Sequence, residues 1–119
     1  NKKKKIHEIY KKEISKLKNF DLFEFSEYIY SNYWLNLIKI NNKHIKLSTL
    51  INIFYKNSIE VRPVWYPNHL QKPFIKYRRY KITFATKIKD QYLCIPSSAT
   101  LKNTDLYKII NLLKSLDNA

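Results

Sequence analysis

A chain of 119 residues is the size of one domain, and can bury about two-thirds of its unfolded surface in a single core. With 45% hydrophobic and 27% charged residues it is too apolar for a disordered tail, and no apolar run approaches the roughly 20 residues that cross a bilayer. The net charge of +14 raises nucleic acid as a partner, and only the distribution of the charge along the chain can decide that.

Lys2 to Lys18 reads as an amphipathic helix, because Ile6, Ile9, Tyr10, Ile14 and Leu17 recur at spacings of three and four. The cluster Lys2 to Lys5 sits at the wrong end of that helix for its dipole, which leads us to expect a helix that began earlier in a longer chain. Leu22 to Phe25 is a short extended candidate. Tyr33 to Ile40 alternates as a strand does and is broken by Asn41-Asn42-Lys43. Leu47, Leu50, Ile51, Phe54 and Tyr55 then have helical spacing, and Asn57-Ser58 supplies the turn out, since asparagine tolerates the left-handed conformation. Ile59 to Val64 returns to strand character.

From Trp65 to Tyr80 the chain mixes Pro67 and Pro73 with aromatic and basic residues and shows no period, so we expect an ordered loop with a turn of helix near Lys72 to Tyr77. Lys81 to Lys89 predicts a short helix, and Tyr92 to Ile95 a strand ended by Pro96. The last helix carries one stripe of Leu106, Ile109, Ile110, Leu113 and Leu116, with Asn103 or Thr104 as N-cap and Asp105 in the first turn. The expected fold is therefore α+β (or α/β), a small mixed or antiparallel sheet of residues 33–40, 59–64 and 92–95. Helices at 2–18, 47–56 and 104–116 cover it.

The lone Cys94, between Leu93 and Ile95, reads as a buried strand residue rather than a reactive thiol. Three scattered histidines and one cysteine give no metal-site spacing, and His7 and His44 read as solvated. No signal-peptide pattern follows the basic start, so we expect a cytoplasmic protein. Among 23 basic residues only Arg62, Arg78 and Arg79 are arginine, the residue that makes bidentate contacts to nucleic acid. Lysine, asparagine and isoleucine are abundant together and glycine is absent, which looks like the drift of an A/T-rich genome. Both observations argue against nucleic acid as the partner.

Residues 59 to 73 read Ile-Glu-Val-Arg-Pro-Val-Trp-Tyr-Pro-Asn-His-Leu-Gln-Lys-Pro. This resembles the small-domain signature of DegT/DnrJ/StrS-type aminotransferases, in which a strand ending in Arg-Pro leads to a loop with Pro-x-His-Leu-Gln. The order of helices and strands on either side is collinear with that family, including Leu-x-Ile-Pro-Ser-Ser at Leu93 to Ser98. Asn57-Ser58 stands where the family usually has glycine. The resemblance implies the C-terminal small domain of a pyridoxal-phosphate (PLP) enzyme, residues 1–119 forming one domain without the large domain that carries the Schiff-base lysine. None of the chain's lysines has the family's lysine context.

On that resemblance the chain contacts substrate, a nucleotide-linked 4-keto-6-deoxy (amino) sugar, and is inactive alone. Its expected partners are the large domain and, in the complete enzyme, a second copy as a homodimer; neither membrane nor nucleic acid is expected. The implied substrate-binding residues are Arg62, Tyr66, His69 and Gln71. Arg62 at a strand end can pair with phosphate or form a structural salt bridge. His69, in a loop between prolines, can donate to sugar or phosphate oxygens. Gln71 can reach the same ligand or tie down its loop, and Tyr66 and Trp65 can stack on a ring or belong to the core. We expect Arg62, His69 and Gln71 to converge on one shallow cleft. Two other readings stay open: a small basic nucleic-acid-binding protein, and a non-catalytic remnant or interaction module.

Overall fold

The computed structural model describes residues 2–118. Four helices are present among them: α1 (Lys2–Ile14), α2 (Leu47–Lys56), α3 (Thr83–Ile88) and α4 (Asn103–Asp117). They alternate with four short strands, β1 (Phe20–Leu22), β2 (Asn36–Ile40), β3 (Arg62–Pro63) and β4 (Tyr92–Ile95). The strands form one sheet in the order β1-β2-β4-β3, and every pairing is antiparallel. This is the expected α+β class, with β1 as a fourth strand that overlaps the extended candidate Leu22 to Phe25 only at Leu22.

The apolar stripes are buried against one face of the sheet. Ile6, Tyr10 and Ile14 of α1, Leu50 and Phe54 of α2, and Leu106, Ile109, Ile110 and Leu113 of α4 close over Phe20, Ile38, Ile40, Leu93 and Ile95. The Tyr10 hydroxyl is satisfied inside this core by donating to the Pro96 carbonyl at 2.9 Å, and burial raises its pKa well above the usual phenol value. The far ends of α1 and α4 are joined by Asp117. Its carboxylate accepts the backbone N–H groups of Lys18 and Asn19, the latter at 2.6 Å. Those donors compensate a carboxylate placed at the unfavourable end of the α4 dipole.

Several details differ from the sequence reading: α1 ends at Ile14 rather than Lys18, and the N-cap of α4 is Lys102 rather than Asn103 or Thr104. The second strand begins at Asn36, not Tyr33. Tyr33 has φ 53°, and the backbone N–H groups of Tyr33 and Trp34 donate to the side chains of Ser31 and Asn32, so side-chain bonds replace the sheet ladder there. The strand at Ile59 to Val64 is reduced to Arg62–Pro63, because Pro63 offers no N–H and lies on the sheet edge. At the end of α2 the left-handed residue is Ser58 (φ 58°), while Asn57 donates from Nδ2 to the carbonyl of Ile53.

His7 corrects the expectation of a solvated side chain. It is buried, its Nδ1 lies 2.7 Å from Oδ1 of Asn36, and its ring packs on Tyr33 at 4.7 Å between centroids. Asn36 is also buried, and its Nδ2 has no hydrogen-bond partner. The pair fastens α1 to the first residue of β2, directly beside the turn that sets Trp34.

Candidate functional site

The edge strand β3, the segment from Ser97 to Leu101 and the first turns of α4 surround an open cleft of about 900 Å³. Arg62, Trp65 and Tyr66 line it from one side and Asp105 and Lys108 from the other, with Trp34 at its wall. The two indoles sit against each other with centroids 6.1 Å apart and planes tilted by 44°. Trp34 is pinned by its backbone, since Ser97 Oγ donates to its carbonyl at 2.6 Å.

Arg62 projects from β3 and is exposed. Its Nε and Nη2 donate to one carboxylate oxygen of Glu60 at 3.0 and 2.6 Å, and that hydrogen-bonded carboxylate raises the guanidinium pKa further above its ordinary value. The structural salt bridge is thus the contact Arg62 makes here; both partners are solvated, so the pair adds little to stability and can exchange for a ligand anion. Tyr66 is exposed as well, with the Lys89 ammonium 5.8 Å from its ring centre.

His69 and Gln71 are not among the residues that line the cleft. His69 stands on a one-turn 3₁₀ helix (Asn68–Leu70), half-buried, with Nε2 2.9 Å from Thr86 Oγ1 on α3. The Thr86 hydroxyl donates to the carbonyl of Ile82, so its oxygen accepts from His69, which places the proton on Nε2. Gln71 donates through Nε2 to the Tyr66 carbonyl and to Oδ1 of Asn68. It ties the loop together and thereby fixes Tyr66. Arg62 and Tyr66 share the cleft, while His69 and Gln71 hold the loop that shapes it.

Sequence reasoning missed Trp34, Asp105 and the serines of the cleft as site residues. The available signal was that both tryptophans of the chain flank turn chemistry, Asn32 before one and Pro67 after the other. Cys94 also lines the cleft; it is buried, and that burial raises its thiol pKa. Among the described residues no three His, Cys, Asp or Glu side chains gather as a metal site.

The sequence profile of the DegT/DnrJ/EryC1/StrS aminotransferase family matches residues 1–114. The chain belongs to that family. Its fold agrees with solved structures at low sequence identity. The aminotransferase TlmJ from Streptoalloteichus hindustanus superposes with a TM-score of 0.84 at 15% identity, over 96% of this chain and 30% of its own. DesI, solved with its TDP-sugar product, gives 0.86 at 13% identity, over 98% and 30%. The PLP form of the sugar aminotransferase Spr1654 from Streptococcus pneumoniae gives 0.82 at 15%, over 98% and 31%. This member of the DegT/DnrJ/EryC1/StrS family thus spans about 30% of the length of the structures it matches.

The cofactor that the family implies can be tested against the residues present. A PLP site needs a lysine free to react and a cup for phosphate. Lys108 is the lysine of the cleft wall, and its Nζ donates to the Asn57 carbonyl at 2.6 Å. The start of α4, the one long-helix N-terminus beside the cleft, carries the carboxylate of Asp105. The described residues therefore do not fit the cofactor by themselves. No helix among them is long and apolar enough to cross a membrane.

Proposed function

We propose that this chain is the substrate-contacting small domain of a PLP-dependent aminotransferase acting on a nucleotide-linked 4-keto-6-deoxy sugar. The observation that carries the reading is the family match, which runs from residue 1 to 114 of a chain spanning less than a third of the enzymes it resembles. The TDP-sugar product in whose presence DesI was solved supports a nucleotide-linked substrate, and the PLP form of Spr1654 supports the cofactor. In this reading the Schiff-base lysine and the phosphate cup come from the part of the fold that the chain does not span. The complete enzyme works as a homodimer in the cytoplasm, and this chain alone is inactive.

The contacts of Arg62 and Tyr66 in the cleft support the following roles. Arg62 exchanges Glu60 for the substrate's anionic group, and Tyr66 gives a ring face beside it. His69 presents a hydrogen-bonding edge from the loop, and Gln71 acts through the loop by holding the Tyr66 carbonyl. Two measurements check this. The isolated chain, titrated with PLP, shows no cofactor band saturating near one per chain; a saturable band removed by substituting one lysine would show that the lysine lies within these residues. In an enzyme completed with a family large domain, His69→Ala lowers kcat/KM for the sugar nucleotide and leaves the cofactor spectrum unchanged, whereas loss of cofactor binding would contradict the assignment.

A further inference from the structure

The segment that leads from β3 to β4 has a composition unlike the rest of the chain. Residues 65–89 carry seven lysines and arginines and no carboxylate, although the whole chain has nine acidic residues. None of them is buried, and every residue from 72 to 81 is exposed. The exposed side chains include Phe74 (44%), Ile75 (49%), Tyr80 (80%) and Phe84 (71%). Apolar surface gathered in this way marks a contact surface. The segment is also held in shape. The Tyr77 N–H donates to the Phe74 carbonyl at 3.1 Å, Arg79 Nη2 donates to the Ile75 carbonyl at 2.8 Å, and the rings of Phe74 and Tyr77 lie 6.4 Å apart.

Nucleic acid, protein and an anionic membrane can all meet a cationic, apolar surface, and the contacts separate them. A single strand of nucleic acid stacks its bases on free aromatic faces. Here Lys76, Lys81 and Lys89 stand over the rings of Tyr77, Tyr80 and Tyr66 at 5.8, 5.3 and 5.8 Å, so a face of each ring is already taken by a cation. Protein interfaces deplete lysine at their centres, whereas Lys72, Lys76 and Lys81 are interleaved with the exposed apolar residues. A bilayer surface suits that interleaving: apolar side chains enter the headgroup region while the stems of lysine and arginine lie along it and their charges reach lipid phosphates. We propose that residues 72–89 dock on an anionic phospholipid membrane, with Phe74, Ile75, Tyr80 and Phe84 entering the interface and Lys76, Arg78, Arg79 and Lys81 meeting the headgroups. This goes beyond the aminotransferase reading, which calls for no membrane, and does not rest on it.

Co-sedimentation of the full chain with vesicles tests this, using phosphatidylcholine alone or with about one-third phosphatidylglycerol. The anionic vesicles should bind at least about tenfold more tightly, and raising the salt from about 0.1 to about 0.5 M should weaken that binding. Arg78→Glu with Arg79→Glu should weaken it about tenfold or more. The same charge change on α1, Lys4→Glu with Lys5→Glu, should cost less than about threefold, because those lysines lie outside the contact. Tyr80→Ser with Phe84→Ser should also cost about tenfold and leave the salt dependence in place. All six positions are exposed, and circular dichroism checks that each variant folds. A single-stranded thymidine oligonucleotide should bind the parent and the Tyr80→Ser, Phe84→Ser variant alike; a loss of about tenfold there would assign the rings to base stacking and overturn the proposal. So would equal binding to both kinds of vesicle, or an α1 variant as weak as the Arg78, Arg79 variant. Joined to a family large domain, the chain should still bind the anionic vesicles; loss of binding on joining would make the segment a protein interface and overturn the proposal as well. Amino transfer by that joined enzyme is read separately, so the transferase reading and this one can fail independently.

Discussion

The buried pair of His7 and Asn36 offers a sharp test of how α1 is fastened to the sheet. The two side chains meet at 2.7 Å, both are buried, and Nδ2 of Asn36 already lacks a partner. Removing one member leaves the other as an unpaired polar group inside the core, which costs about 1–3 kcal/mol, whereas removing both leaves apolar contact and no orphan. His7→Leu and Asn36→Val should therefore each destabilise by about 2 kcal/mol. The double variant should lie within about 1 kcal/mol of the parent, a coupling of about 3 kcal/mol, at the upper end for contacting residues. Urea unfolding followed by circular dichroism measures all four proteins. Because His7 supports Tyr33, and Tyr33 precedes Trp34, the single variants should also red-shift the indole emission. Single effects that add within about 0.5 kcal/mol would refute the reasoning, since independent sites behave in that way.

Other outcomes follow from the same contacts. Glu13 accepts hydrogen bonds from Lys114 and Lys16, the former the larger cause, and its carboxyl is held down to about 2 from an ordinary 4.5. A depressed carboxyl stabilises the fold fully above its unfolded value and loses that contribution as pH falls. The urea midpoint should therefore drop between pH 4.5 and 2, and drop less in Glu13→Gln. Phe54→Ala, at a fully buried position between α2 and the sheet, should cost about 3–5 kcal/mol in the same assay. Cys94 should react slowly with a thiol reagent in the folded chain and rapidly in urea, because it is buried and burial disfavours its thiolate.

What could be read in advance was whatever follows a period. The stripes Ile6–Tyr10–Ile14 and Leu106–Ile109–Ile110–Leu113 face the core as their spacing requires, and β4 lies where its apolar run is bounded by Pro96. The Arg-Pro to His-Leu-Gln stretch gave the family, and the profile match bears that out. The rest depends on partners distant in sequence. His7 is polar on a helix rich in lysine, and only Asn36, 29 residues on, makes its burial possible. His69 finds Thr86 17 residues away, and no local pattern announces that bond. Gln71, by contrast, bonds within its own turn, so the loop-tying reading was available from the residues alone. Trp34 was hidden by alternation: Tyr33 to Ile40 reads as one strand until Asn32 and Ser31 take the backbone donors at its start.

The central claim is that this chain supplies the sugar-contacting part of an aminotransferase. It is tested most directly by amino transfer in a completed enzyme. The chain is joined to the large domain of a family member and supplied with PLP, glutamate and a TDP-linked 4-keto-6-deoxyhexose, and the amino sugar nucleotide is followed by mass spectrometry. The account predicts product from the combination, none from the isolated chain, and a decrease of at least tenfold with Arg62→Ala. A completed enzyme that binds PLP and folds yet forms no amino sugar from that substrate, or an isolated chain that forms it unaided, would contradict the account.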